Sequence, residues 1–221
     1  MTPSNDFEQL AQENRLVGYF GYGSLVNRLT LRPGVVAAWP ARLSGWRRTW
    51  RARPDMGPTP PAALAPGPAP CLLSAHPDPR SAIDGLLVID LAENLASVDA
   101  REFRYHRRAI GVEDLIFNGD APALARRAGI SLHVYEARIE HPPVDGPAPI
   151  LRSYLDTVMQ GFLREFGAEG LRRFVAETAA FDRPVLEDRR QPLYARAVTL
   201  SPDEIGLFDA VLEASRRPGR D

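Results

Sequence analysis

The residues best suited to chemistry in this chain begin with a short run near its start, Gly18-Tyr19-Phe20-Gly21-Tyr22-Gly23-Ser24-Leu25. Val17 to Tyr22 is apolar and aromatic enough for a buried strand. Gly23-Ser24 then breaks it with a residue that tolerates positive φ and one with a small polar side chain. A strand that stops in a tight glycine turn exposes backbone N–H groups that no ladder uses, and these can hold an anion such as a carboxylate. The competing reading is an ordinary strand with a tight turn. Commoner glycine motifs do not fit. Gly-x-Gly-x-x-Gly lacks its third glycine after Gly21 and Gly23. A nucleophile elbow would need glycines two residues either side of Ser24, where Tyr22 and Val26 stand.

The second chemical candidate is Glu102. Asp90 and Glu93 form a capping-box pattern before a helix whose buried stripe runs through Leu91, Leu95 and Val98. Glu102 falls in phase with that stripe, eleven residues after Leu91. A carboxylate on an apolar face has two readings. It is the last turn of a helix, reaching solvent or paired with Arg101, Arg104 or Arg107, or it is a proton carrier whose pKa burial raises towards neutrality.

Other chemistries are set aside by composition. All 27 basic residues are arginine. Without lysine there is no Schiff base, no pyridoxal phosphate anchor, no Walker lysine and no protein-kinase lysine. His76, His106, His133 and His141 never approach metal-ligand spacing, and Cys71 is the one cysteine, so no metal centre is expected. Cys71 lies in an apolar run and reads as a buried, inert thiol. Arg42, Arg47, Arg48, Arg51 and Arg53, interleaved with Trp46 and Trp50, imitate a nucleic-acid face. A net charge of −1 argues instead for an amphipathic strand with solvated arginines, and no nucleic-acid partner is expected.

These residues must be positioned by a fold of modest size. At 221 residues, 44% hydrophobic and 25% charged, the chain suits one globular domain with an appendage. Met1 to Asn14 is polar and lacks the apolar core of a signal peptide, and no stretch reaches membrane-spanning length. A soluble, cytoplasmic protein without a membrane partner is expected. Val35 to Arg53 reads as extended, and Pro54 to Pro70 as a long surface loop. Cys71 to Ala75 and Ile83 to Asp90 read as two short strands joined by a polar turn through Pro77 and Pro79. Strands follow at Tyr105 to Val112 and Ser131 to Ile139, with a short helix at Pro122 to Ala128 between them. Pro142 to Pro149 is a linker. Ile150, Tyr154, Val158 and Phe162 keep helical spacing, which continues weakly to Glu177. Phe181 to Tyr194 is loop. A capped helix, Ser201-Pro202-Asp203-Glu204, then buries Ile205, Phe208 and Leu212. The pattern predicts an α+β fold over residues 1–180, a small mixed β-barrel with flanking helices, and a C-terminal helical extension, 181–221, docked on the same domain.

In order along the chain, these pieces resemble the γ-glutamylcyclotransferase-like proteins, including their ChaC-type branch. Phe20-Gly21-Tyr22-Gly23-Ser24-Leu25 resembles the family's signature turn, and Arg42-Leu43-Ser44-Gly45-Trp46-Arg47-Arg48 its second strand. Pro77-Asp78-Pro79 before Ile83-Asp84-Gly85-Leu86-Leu87 resembles its central hairpin. Ala100-Arg101-Glu102 with Tyr105 is similar to its Arg-Glu catalytic segment, and Ser153-Tyr154-Leu155 with Gly161 to its late tyrosine helix. The likeness spans Val17 to Gly167. Phe103-Arg104 departs from the small or polar residues that the ChaC branch places after its glutamate, and nothing beyond Glu177 is matched.

The resemblance implies a barrel-like fold and a cyclotransferase that turns a γ-glutamyl amide, glutathione or a γ-glutamyl amino acid, into 5-oxoproline and a free amine. Glu102 is then the general acid and base. Tyr22, Gly23, Ser24 and Leu25 hold the glutamyl moiety, and Tyr105 and Tyr154 close the pocket unless they are simply core. Neither cofactor nor metal is implied. A noncatalytic homologue that uses the same pocket to bind a ligand or a protein is the alternative.

Overall fold

The computed structural model describes residues 3–52, 70–117, 129–138 and 148–216. The Pro54–Pro70 loop up to residue 69, the Pro122–Ala128 helix, His141 and most of the Pro142–Pro149 linker lie outside the described residues. The elements are helix α1 (Pro3–Gln12), strands β1 (Leu16–Gly21), β2 (Ala37–Ala52) and β3 (Cys71–Leu91), helix α2 (Leu95–Arg101), strands β4 (Tyr105–Ile110), β5 (Leu115–Phe117), β6 (Ser131–Ala137) and β7 (Ile150–Leu151), helix α3 (Arg152–Glu177), strands β8 (Thr178–Ala179) and β9 (Val185–Leu186), and helix α4 (Pro202–Arg216). Among the described residues no helix is long and apolar enough to cross a membrane. The architecture is α+β, and it divides into two compact units. One comprises Met1–Tyr22, Leu31–Trp46 and Ala75–Arg138; the other Gly23–Thr30, Arg47–Ser74 and Ile139–Asp221.

The first unit is a curled sheet in the order β4-β6-β1-β3-β2-β5. β1 is buried along its whole length, as its unbroken apolar run requires. It runs antiparallel to β3, from Leu16 opposite Leu91 to Gly21 opposite Leu86, and parallel to β6, from Val17 opposite Ser131 to Phe20 opposite Val134. The path ends at β4 and β5, so the sheet is open and the expected barrel does not close. The reason is legible on β4. Its Arg107, Arg108 and Ala109 are exposed, with Arg107 paired to Asp99 and Arg108 to Glu136. A charged edge of this kind resists a further strand.

Two strand expectations change. Cys71 to Asp90 is one continuous strand, not two strands and a turn. Pro77 and Pro79 fall in its more exposed middle, where a missing ladder donor costs little, and Asp78 accepts bonds from the Arg80 amide and the Ser81 hydroxyl. β2 is extended as expected, but its arginines are not all solvated. Burial falls on Ala41 and Leu43, then switches to Trp46, Arg48, Trp50 and Ala52 after Gly45, whose φ is 78°. This change of phase is the signature of a bulge, and it turns Arg48 inward. Arg48 is fully buried, its guanidinium 4.8 Å and 4.6 Å from the ring centres of Phe162 and Phe174 and its Nε donating to Thr178.

The second unit is organised by α3, which is broken at Gly167. Every residue from Arg152 to Phe162 is buried, polar ones included. Buried polar groups need partners, and the chain after Glu177 supplies most of them. Asp188 accepts from the Ser153 amide (2.7 Å), the Ser153 hydroxyl (2.6 Å) and the Leu193 amide (2.9 Å). Asp156 is held by Arg152 and Arg189, and both arginines also reach Asp209 on α4. Burial alone would raise the Asp209 pKa, but the Arg189 bond and the charges of Arg152 and Arg189 together hold it low. Gln160 donates to Glu204, which with Ser201 forms the expected capping box of α4. α4 buries Phe208, Val211 and Leu212, while Ile205 is only half-buried. Cys71 is buried, its thiol is directed at the Ala148 carbonyl, and burial pushes its pKa up to about 11.

Asp188 thus caps the start of α3 from 35 residues away. Asp188→Ala strands the buried Ser153 amide and hydroxyl and the part-buried Leu193 amide, and is expected to cost about 3 kcal/mol or more. That corresponds to a fall in Tm of about 6–12 °C in thermal denaturation followed by circular dichroism. A Tm within about 2 °C of the parent would show that the clamp contributes little.

Candidate active site

In the first unit, Tyr22 follows directly on β1 and is buried. Its hydroxyl donates to the Tyr135 carbonyl at 2.6 Å, which fixes the residue that enters the glycine turn. Tyr135, on β6, donates its own hydroxyl to Asp99 of α2 at 2.8 Å. Burial pushes the Tyr135 phenol well above its ordinary pKa, and the Asp99 bond, the Asp99 charge and the Glu102 charge add to this. Glu102 therefore stands within electrostatic reach of the tyrosine that anchors Tyr22.

Glu102 ends α2. Its amide donates to the Val98 carbonyl at 2.9 Å and its carbonyl accepts from the Tyr105 amide at 2.9 Å. The side chain is 17% exposed, and its Oε1 meets Arg101 Nε at 3.2 Å. The ion pair with Arg101 is thus formed around a carboxylate that is largely out of water. The helical phase that pointed to Glu102 needs correction. Asp90 and Leu91 belong to β3, a 3-10 turn covers Ala92–Asn94, and α2 begins at Leu95. No capping box forms there. Asp90 is completely buried and accepts instead from the Leu91 amide and the Asn94 side chain. Tyr105 opens β4 opposite Ala137 and is half-buried.

In the second unit, Gly23 leads into a 3-10 turn over Ser24–Val26. The turn is closed by Val26 N to Gly23 O and Asn27 N to Ser24 O, both 3.0 Å. Gly23 and Ser24 are partly exposed, whereas Leu25 is buried. Gly23 does not use positive φ; its angles are φ −123° and ψ −129°. A side chain would still be crowded, since a Cβ there would lie 3.1 Å from the Tyr154 hydroxyl, which would have to give by a few tenths of an ångström, and in ordinary contact with Leu73 at 3.6 Å. The turn is fastened to α3 by Asn27, whose side-chain amide donates to the Thr157 carbonyl (2.9 Å) and to Gln160 (3.0 Å).

Tyr154 is the third residue of α3, and aromatic rings flank it. Trp50 stands edge-on at 5.8 Å and Tyr194 at 4.9 Å between ring centres. Of the expected residues, then, Tyr22, Glu102 and Tyr105 belong to the first unit, and Gly23, Ser24, Leu25 and Tyr154 to the second. Sequence reasoning missed Asp99, Tyr135 and Tyr194. For Tyr135 the signal was its place on an alternating strand next to β1; for Tyr194 there was none. A groove of about 1080 Å³ is lined by Arg172, Val175, Arg183 and Val211 among others, and none of the expected residues lines it. No group of three or more His, Cys, Asp or Glu side chains gathers as a metal site among the described residues.

No family model and no curated protein matches the sequence. Solved structures do. A gamma-glutamyl cyclotransferase superposes with a TM-score of 0.51 at 14% identity, covering 90% of this chain and 99% of its own. A human protein described as uncharacterized superposes with a TM-score of 0.50 at 16% identity, covering 89% and 98%. Likeness at this identity is a likeness of fold, and the chain has the γ-glutamylcyclotransferase-like fold that the order of its motifs implied.

The contact between turn and tyrosine can be tested without any assay of activity. Gly23→Ala is expected to lower Tm, and the loss should shrink in a Tyr154→Phe background, where no hydroxyl opposes the new methyl group. A coupling of about 0.5 kcal/mol or more in the double-mutant cycle is expected for residues in contact. Strict additivity would contradict the geometry.

Proposed function

We propose that this protein is a γ-glutamylcyclotransferase-type lyase that converts a γ-glutamyl amide into 5-oxoproline and a free amine. One observation carries the reading: in a chain with this fold, a partly exposed Gly23-Ser24 turn lies between buried residues, with the Tyr154 hydroxyl against Gly23. A turn that is bare of side chain at Gly23 and accessible is suited to a ligand that approaches the backbone.

The chemistry asks little of the protein beyond positioning. The substrate's α-amine attacks its own γ-carbonyl, forming a C–N bond that closes a five-membered ring. The original amide C–N bond then breaks and the amine departs. Nucleophile and electrophile share one molecule, so holding the folded conformer supplies much of the acceleration. Glu102 takes the proton released from the α-ammonium group and returns one to the leaving nitrogen, the two halves of general base and general acid catalysis. Backbone amides of the Gly23–Leu25 turn bind the glutamyl moiety and the oxyanion that develops on its γ-carbonyl. Tyr105 and Tyr154 supply hydroxyl contacts around it. No electron transfer or Lewis acid enters this sequence of bonds, so neither cofactor nor metal is assigned. The substrate class is glutathione or another γ-glutamyl amide. Phe103, which is exposed, and Arg104, stacked on its ring at 4.0 Å, follow the glutamate directly.

Glu102→Gln keeps shape and volume but accepts no proton. It is expected to lower kcat by about 10²-fold or more while the fold, checked by circular dichroism, and KM change little. A folded variant that retained parental turnover would remove Glu102 from the mechanism. Gly23→Val tests the turn, and KM should rise as kcat falls because the new side chain obstructs the backbone donors. Unchanged kinetics in a folded Gly23→Val protein would remove the turn from the binding site.

A further inference from the structure

We infer that Tyr194, from the segment after α3 that no motif explains, determines which leaving amine the enzyme accepts. The inference rests on the cyclotransferase reading. Tyr154 presents its hydroxyl to Gly23 and is flanked by two rings that differ in kind. Trp50 is 1% exposed, is itself braced edge-on by Phe181 at 5.8 Å, and belongs to the core. Tyr194 is half-buried, so unlike Trp50 it keeps part of its surface in contact with solvent.

Its position is built with care. The Tyr194 amide donates to the Ser153 hydroxyl at 3.2 Å, and that hydroxyl donates to Asp188. Asp188 in turn receives the Leu193 amide. The backbone leading into Tyr194 is therefore tied to the first turn of α3, immediately before Tyr154. A loop held at three points places one aromatic ring against the tyrosine that touches the turn.

A glutamyl moiety bound at Gly23-Ser24 would direct its amide substituent past Tyr154, where Tyr194 offers a flat, apolar face. Two arginines that tie this loop down, Arg189 within it and Arg152 on α3, are already engaged. Arg189 is bound to Asp156 and Asp209, and Arg152 to the same two carboxylates. They do not offer a charge to a leaving group that carries its own carboxylate. The chemistry favoured is an apolar or aromatic leaving amine, stacked on or edge-on to Tyr194.

The test compares two γ-glutamyl amides, the benzylamide and the methylamide, on the full chain, with 5-oxoproline release as the readout. The parent should prefer the benzylamide in kcat/KM. Tyr194→Ala should reduce that preference by about fivefold or more, mainly through KM, as loss of a ring contact implies. Tyr194→Phe, which keeps the ring, should retain it. Tyr194→Leu, which keeps apolar bulk, covers the case in which the alanine variant does not fold, and it too should lose preference. A ratio unchanged in folded Tyr194→Ala or Tyr194→Leu protein would overturn the inference, as would an equal loss on both amides. If the parent releases no 5-oxoproline from either amide or from glutathione, the cyclotransferase reading itself fails and takes the inference with it.

Discussion

The second unit depends on satisfying the polar side of a helix that is buried all round. From Arg152 to Gly161 α3 carries Arg152, Ser153, Asp156, Thr157 and Gln160 inside the protein. Each such group left without a partner would cost about 1–3 kcal/mol. The answer comes from both sides of the sequence. Asn27, at the end of the glycine turn, takes the Thr157 carbonyl and Gln160, while Asp188, Arg189, Glu204 and Asp209 take the rest. The hydrogen bonds that make burial of α3 affordable are the same ones that fix the turn and Tyr154 against each other. Polar satisfaction and site geometry are one arrangement here.

This explains why part of the fold could be read in the sequence and part could not. β1, β2, β4 and β6 follow from local alternation or apolar runs, and the capping box of α4 follows from Ser201 and Glu204, three residues apart. The open sheet did not follow from any local pattern. Whether such a sheet closes depends on its edges, and one edge, β4, carries Arg107 and Arg108 paired with carboxylates on other elements. Pro77 and Pro79 read as a turn because proline usually interrupts strands, yet exposure of that stretch let β3 continue. Arg48 reads as solvated because arginine on an amphipathic strand usually faces water, whereas the shift of phase at Gly45 turns it inward.

The site was legible to a similar degree. Gly23-Ser24 announced a turn, and the structure sets the Tyr154 hydroxyl close against Gly23, whose backbone is not left-handed. Glu102 was reached by a helical phase that starts too early, since α2 begins only at Leu95. What survives is the four-residue step from Val98, a buried residue, to a carboxylate 17% exposed and bonded to Arg101. Asp188 and Tyr194 were out of reach, because a cap supplied from 35 residues downstream leaves no local spacing to find.

The central claim is that the substrate's own amine, not water, attacks the γ-carbonyl. The direct measurement is turnover of a γ-glutamyl amide in ¹⁸O-labelled water, with the acid product analysed by mass spectrometry. Attack by the substrate's own amine yields 5-oxoproline in equal amount to the released amine, with no ¹⁸O in it. Glutamate carrying one ¹⁸O would show hydrolysis instead and contradict the account.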